Sequence, residues 1–429
     1  MMRRFLRVSA VSLAVLSTLP GCDAGSSSNG DDSAGSMPVA LKGCAPGDGV
    51  NVVTAPGGYY TNLATVCRAD GTAHLFHGLD RPSLEWDPAG EWHDSEGIPR
   101  SDFAAMAAWH ANVVRIALNQ DFWLAGAALY DPAYVDTVDR AVKDAEASGL
   151  DVILDLHWSD RGDLTASVAG HGQGKAGHAD QQQMADVNSK QFWTEVASKY
   201  QNDGHVLFEL YNEPHDISWD VWLHGGMVGT YLAVGMQDLY DAVRATGAEN
   251  VVIAGGTNWA FNLSGAESHK IVGHNVMYAT HPYFPQDPAT QWDGMFGYLA
   301  KRDIAPVIVT EFGDHKDNCT GAWNTNLTQY ADQQHISWTA WAWWPGDCSF
   351  PSLIADWDYT PTVQGEAVKA ALANYPYEPA GVPSGSGGGG AGSGGAGNGG
   401  SVGNEAGSAG ALGSAAGTAG SAEGGTPSL

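Results

Sequence analysis

The chain has 429 residues, 43% of them hydrophobic, which is ample for a large core. Its formal net charge of −28 excludes nucleic acid and anionic membrane surfaces as partners, because both would repel it. The 16 Trp and 15 Tyr are core material, and their flat apolar faces also suit sugar rings.

The N-terminus reads as a targeting segment. MMRRFLR supplies positive charge, Val8 to Leu19 is apolar, and LPGC ends the stretch at Cys22. The apolar run is too short for a permanent bilayer span. It resembles a bacterial lipoprotein signal, in which Cys22 becomes the lipidated first residue after cleavage. Ordinary secretory cleavage nearby is the alternative. Either way the protein is expected outside the cytoplasm, on the bacterial cell envelope or released, touching membrane only through the lipid. The expected segments are a signal over 1–22, a Ser/Gly/Asp tether over 23–40, a folded domain over 41–378 and a Gly/Ala/Ser-rich tail over 379–429. The tail lacks core-forming groups and is expected to be disordered.

Between these ends, apolar strands alternate with amphipathic helices. HLFHGLD (74–80) opens as a strand, and a helix from about 100 to 110 leads to NVVRIAL (112–118). Residues 132–148 place Tyr134, Val135, Val138, Val142 and Ala145 on one stripe, and Gly149 ends that helix. DVILDLH (151–157) and VLFELYNE (206–213) follow, then VVIAGG (251–256), VMYATH (276–281), PVIVTE (306–311) and ISWTAWAW (336–343). Helical stretches near 183–200, 230–247, 292–302, 322–335 and 361–374 fill most gaps. Eight strands alternating with helices are the count of an α/β fold of the (β/α)8 TIM-barrel type. A doubly wound open sheet is the other option, but no GxGxxG follows the first strand.

Such a barrel keeps its chemistry at the C-terminal ends of its strands. The second strand carries Arg115, the third ends in His157, and the fourth gives out at Asn212-Glu213-Pro214, where the proline stops pairing. The sixth ends in His281-Pro282-Tyr283, the seventh in Glu311, and the eighth holds Trp338, Trp341, Trp343 and Trp344. Each alone has a bland explanation: His157 as a structural histidine, Arg115 in an ion pair, Glu213 as a loop cap. Their conjunction at one end of a barrel is the specific signal.

NEP on the fourth strand, EFG on the seventh, the Arg of NVVRIAL, the His of LDLHW and HPY on the sixth resemble glycoside hydrolase family 5, which includes cellulases and mannanases. The resemblance runs from about His74 to Asp358. It implies Glu213 as general acid/base and Glu311 as nucleophile, with Arg115, His157, Asn212, His281 and Tyr283 lining the cleavage subsite. The tryptophan that floors the sugar falls on Trp341 or Trp343. In such a retaining mechanism two carboxyls stand roughly 5–5.5 Å apart. The nucleophile is kept ionised by a cation such as Arg115 and a hydroxyl such as Tyr283. No cofactor or metal is required.

The expected activity is therefore retaining hydrolysis of a β-1,4-linked polysaccharide, an endoglucanase first, by a monomer. The alternatives are a β-mannanase or another β-glucanase of the same family, a non-catalytic surface carbohydrate-binding barrel, and a metal-dependent barrel hydrolase. His171 and His178, in the Gly-rich loop 159–182, lack carboxylates at ligand spacing. Trp86 and Trp92 are candidates for distant sugar subsites or for core packing. Lipidation of Cys22 leaves four cysteines, and local spacing favours the bridges Cys44 to Cys67 and Cys319 to Cys348 over four inert thiols.

Overall fold

The computed structural model describes residues 44, 52–90, 97–165, 181–314, 320–348 and 350–375. Cys22 and its signal, the tether, Trp92, His171, His178, Cys319 and the tail lie outside the described residues.

Eight parallel strands close into a barrel in chain order. They are β1 (His77–Arg81), β2 (Val113–Asn119), β3 (Asp151–Trp158), β4 (Val206–Glu209), β5 (Val252–Gly255), β6 (Val276–Thr280), β7 (Val307–Val309) and β8 (Ser337–Ala340). The ring is sealed where β8 pairs with β1 through Trp338 and His77, Thr339 and Gly78, and Ala340 and Leu79. The near-continuous apolar runs are explained by burial on both faces. Val114, Ile116, Val152, Leu154, Val206 and Phe208 face outward into the large core shared with the helices.

The inward face changes character with height, because side chains two residues apart share it. Val113, Ile153, Leu207, Met277 and Ile308 form one apolar cluster inside the barrel. Two residues further along each strand the same face carries Arg115, Asp155, Glu209, Ala279 and Thr310. An apolar layer thus supports a charged one, which lies towards the C-terminal ends.

The bottom is plugged by a three-stranded antiparallel sheet, Tyr59–Asn62, Thr65–Arg68 and Ala73–His74, which pattern reading did not separate from β1. Tyr59 and Val66 of this sheet join the barrel's inner apolar cluster. Cys44 and Cys67 are disulfide-bonded, with Cα atoms 5.7 Å apart, as expected. Cys348 is also disulfide-bonded, and the expected partner, Cys319, lies outside the described residues.

The helix Tyr134–Glu146 buries Tyr134, Thr137, Val138, Ala141, Val142 and Ala145, while Val135 of the expected stripe is only partly buried. Gly149 follows with φ of 85°, a left-handed turn that glycine makes without a Cβ clash. Two short elements were not expected: the helix Trp219–His224, and the hairpin Gly226–Val228 with Tyr231–Ala233, whose second strand occupies the start of the helical stretch expected near 230–247, the helix itself being Met236–Arg244. Among the described residues no helix is long and apolar enough to cross a membrane.

Candidate active site

At the C-terminal end of the barrel lies a cavity of about 560 Å³, lined among others by His157, Glu213, His281, Tyr283, Glu311 and Trp341. The structure thus brings together six of the expected residues directly. Arg115 and Asn212, both 1% exposed, stand immediately behind them.

Arg115 is the hub. Its Nη1 donates to Glu311 Oε1 at 2.6 Å, its Nε to Glu209 Oε2 at 2.6 Å, and its Nη2 to Asn212 Oδ1 at 2.7 Å. Asp155 Oδ2 lies 3.0 Å from the same Nη2 and 2.7 Å from His157 Nδ1. A buried guanidinium survives only with its donors paired, and here all three of its nitrogens meet carboxylates or an amide oxygen.

Glu311 is held as an anion. Burial alone would raise its pKa, but the charges of His281, Arg115 and His157 and the hydroxyl of Tyr283 outweigh it and pull the group down to about 2. Tyr283 Oη donates to Glu311 Oε2 at 2.8 Å. The histidines are affected in the opposite sense. Burial works against a charged imidazole, yet Asp155 lifts His157 to about 9, and Glu311, Glu209 and Glu213 lift His281 to about 10.

Glu213 is less enclosed, its side chain 18% exposed, and its Oε1 lies 3.1 Å from His281 Nδ1. One oxygen of Glu213, one of Glu311 and one ring nitrogen of His281 all lie within 4.8 Å of one another. Among the described residues this is the group placed to hold a metal ion. His281, however, is an imidazolium at neutral pH, and a protonated nitrogen is no ligand. The set fits acid–base and nucleophilic work better than ligation.

The two candidate tryptophans separate cleanly. Trp341 lines the cavity and stacks on His157, ring centroids 5.7 Å apart and planes 8° apart. Trp343 is fully buried and packs edge-on against Trp109, so the structure does not bring it to the cavity. Both lie beyond the end of β8 at Ala340, so strand alternation no longer governs them, and the chain turns Trp343 into the core.

Pattern reading missed Trp259, which lines the cavity and is 46% exposed. It stacks on His215 at 3.6 Å and 6°. Asn258, Trp259 and Ala260 have φ of 58°, 56° and 57°, three consecutive left-handed residues without a glycine. Such a conformation costs about 1–2 kcal/mol per residue and persists only where surroundings impose it. Here Trp259 N donates to Pro214 O at 3.0 Å, and Thr257 and Asn262 exchange backbone bonds. The turn that carries Trp259 is therefore tied to the segment that carries Glu213. Asp155 and Glu209 were also missed, although inward alternation from Ile153 and Leu207 places both inside the barrel.

A closed parallel barrel with two glutamates at the ends of β4 and β7, one held ionised by a buried arginine, defines a glycoside hydrolase. The comparisons agree. The sequence is 27% identical over 338 residues to cellulase CelDZ1 of Thermoanaerobacterium sp, covering 72% of this chain and 78% of that protein. It is 26% identical over 306 residues to endoglucanase C of Evansella cellulosilytica, covering 65% of this chain but only 34% of that one. The chain thus spans about a third of the latter relative's length. In fold it resembles the β-glucanase SdGluc5_26A from Saccharophagus degradans, with a TM-score of 0.57 and 22% identity over 75% of this chain and 94% of that one. Residues 69–347 match the family of cellulases designated glycosyl hydrolase family 5, and the chain belongs to it.

Proposed function

We propose that the protein is an exported, retaining endo-β-1,4-glycanase, with cellulose-type β-glucan as its substrate. The observation that carries this is the carboxyl pair: Glu213 and Glu311 each place an oxygen within 4.8 Å of the other's, which favours the roughly 5–5.5 Å separation of retaining enzymes over the wider inverting one. Glu311 Oε attacks the anomeric carbon while Glu213 gives its proton to the departing glycosidic oxygen. A water then enters, Glu213 takes its proton, the hydroxide oxygen bonds to the anomeric carbon, and Glu311 leaves as a carboxylate. Both groups end as they began.

The surroundings supply what each step needs. Arg115, His281 and Tyr283 keep Glu311 a ready anion at any pH above its depressed range. Trp341 beside His157 offers one face to the sugar on the Glu311 side, and Trp259 offers another on the Glu213 side, where the leaving chain would lie. A pure sugar binder has no use for the pair, which favours the hydrolase reading. The β-glucan reading rests on the relatives, named as a cellulase and an endoglucanase. The export reading rests on the N-terminal signal and Cys22.

Azide rescue tests the roles. Glu213→Ala should still be glycosylated by a substrate with a good leaving group, and azide should then give the β-glycosyl azide. Glu311→Ala should form no covalent intermediate and give only the α-azide. Each variant should otherwise lose turnover by orders of magnitude, about 10²-fold or more. Products of the reverse configuration would exchange the two roles, and an inverted product from the intact enzyme would refute double displacement. Reducing-sugar release from glucans and mannans decides the backbone. Lipid on the full-length protein, absent from Cys22→Ser, decides the anchor.

A further inference from the structure

Glu209 lies at the end of β4, inside the barrel, and touches no part of the cavity. Its two oxygens are both engaged. Oε2 accepts from Arg115 Nε at 2.6 Å, and Oε1 accepts from Thr310 Oγ1 at 2.7 Å. Thr310 Oγ1 in turn lies 2.9 Å from His281 Nε2. The direct distance from His281 Nε2 to Glu209 Oε1 is 3.8 Å, so Thr310 is the intermediary.

Counting protons gives this chain a direction. Although burial would raise Glu209, the Arg115 charge and His281 outweigh it and hold it below the usual range, so it is an ionised acceptor. A threonine hydroxyl has one proton, and here it goes to Glu209. The hydroxyl can meet His281 Nε2 only by accepting, so Nε2 must carry a proton in every ionisation state of the ring. The variable proton then belongs to Nδ1. That atom sits 3.1 Å from Glu213 Oε1 and 3.8 Å from Glu311 Oε2.

We infer that Glu209 is a positioning residue: acting through Thr310, it fixes His281 in the Nε2–H form and leaves Nδ1 as the atom that shares a proton with Glu213. The inference rests on the acid/base role proposed for Glu213. When Glu213 has released its proton to the leaving group, Nδ1–H donates to the new carboxylate. Where the ring is neutral, Nδ1 accepts from a protonated Glu213. His281 faces Glu209 from β4, Glu213 from the loop after β4, and Glu311 after β7. Asp287 and Tyr283 face it from its own loop, and Arg115 lies behind the carboxylates. Of these groups only Glu209 acts on Nε2, and it does so through Thr310, so this pair decides the tautomer.

The test uses the full-length protein with ¹⁵N-labelled histidine. In the intact protein His281 should titrate well above 6.5, and its neutral form should be Nε2–H. In Glu209→Gln the amide NH2 points at Thr310, the amide oxygen having turned to Arg115. Thr310 then donates to Nε2, the neutral ring becomes Nδ1–H, and its titration midpoint falls. Thr310→Val should also lower the midpoint, and Thr310→Ser, which keeps the hydroxyl, should restore both signals. In activity, Glu209→Gln and Thr310→Val should lower kcat on the order of 10- to 100-fold with little change in KM. The alkaline limb of kcat/KM should move to lower pH. An Nδ1–H neutral form in the intact protein overturns the inference without any variant. So does an unchanged His281 midpoint and tautomer in both Glu209→Gln and Thr310→Val. These spectra do not depend on turnover. If Glu213→Ala and Glu311→Ala stayed active, the proposed catalytic roles would fail while the Glu209 relay was still judged by NMR.

Discussion

Buried histidines stand at both ends of this barrel, and they behave in opposite ways. At the C-terminal end His157 and His281 are raised to about 9 and 10. At the N-terminal end burial pushes His77 down to about 3 and holds His74 well below its usual value. Burial opposes the charge in all four, so burial does not decide the outcome. What differs is the company. His281 has Glu213 at 3.1 Å with Glu209 and Glu311 beyond, and His157 has Asp155 at 2.7 Å, whereas the nearest carboxylates of His74 and His77 stand 3.9 Å away. The carboxylate Asp151 at the bottom is engaged by Tyr59 Oη and His205 Nδ1, each at 2.7 Å, and this network faces the plug sheet. One end keeps its buried His74 and His77 uncharged. The other concentrates charge beside a cavity. A charged interior costs stability and is retained here where it serves chemistry.

Removing the hub should break the contrast most severely. Arg115→Met leaves Glu209, Glu311 and Asp155 buried without their cation, and loss of one partner of a buried ion pair costs about 3–5 kcal/mol. Denaturant titration should show that loss together with abolished turnover. A change confined to turnover would mean that the carboxylates take up protons without strain.

The floor can be loosened separately. Cys67→Ala opens the bridge to Cys44 and should cost about 2–4 kcal/mol in the folded domain, since the closed loop limits the unfolded chain. Turnover per folded molecule should be unchanged at a temperature where the variant remains folded. A fall in turnover would show that the plug transmits strain to the upper layer.

The pH dependence of stability should divide between the two ends. His281, raised from 6.5 to about 10, contributes stability that is complete below pH 6.5 and is lost as pH rises towards 10. His77, lowered from 6.5 to about 3, acts on the other side. The unfolded chain binds a proton that the native chain refuses, so stability falls as pH drops from 6.5 towards 3. Glu311, lowered from 4.5 to about 2, adds a loss below pH 4.5 as pH falls towards 2. Melting curves across pH should show the alkaline loss reduced in His281→Gln and the loss between pH 6.5 and 4.5 reduced in His77→Gln. Interchanged effects would contradict the assignment of the two ends.

The smallest effect is expected from the C-terminal tail. Deleting residues 379–429, almost all Gly, Ala and Ser, should leave melting temperature and turnover unchanged. A drop in either would show that the tail contributes to the folded domain.

Much of this was legible in the residues alone. Apolar runs such as VLFEL and PVIVT mark strands buried on both faces, and their alternation with amphipathic helices specifies the barrel, since hydrophobic period is a local property. Polar groups at strand ends, Glu213 and Glu311 foremost, were legible because the barrel gives those ends one meaning. The tertiary structure decided what depends on distance across the barrel. It selected Trp341 over Trp343, because a single turn of the chain after β8 separates cavity from core. It brought Trp259 to the cavity through a left-handed turn that local propensity disfavours. It also joined Asp155, Glu209 and Thr310 to Arg115 and the two histidines. No sequence spacing encodes the links of Arg115 to Asp155 and Glu209 or of Glu209 to Thr310, because they join residues 40 to 101 apart on different strands, and only closure of the ring makes them neighbours.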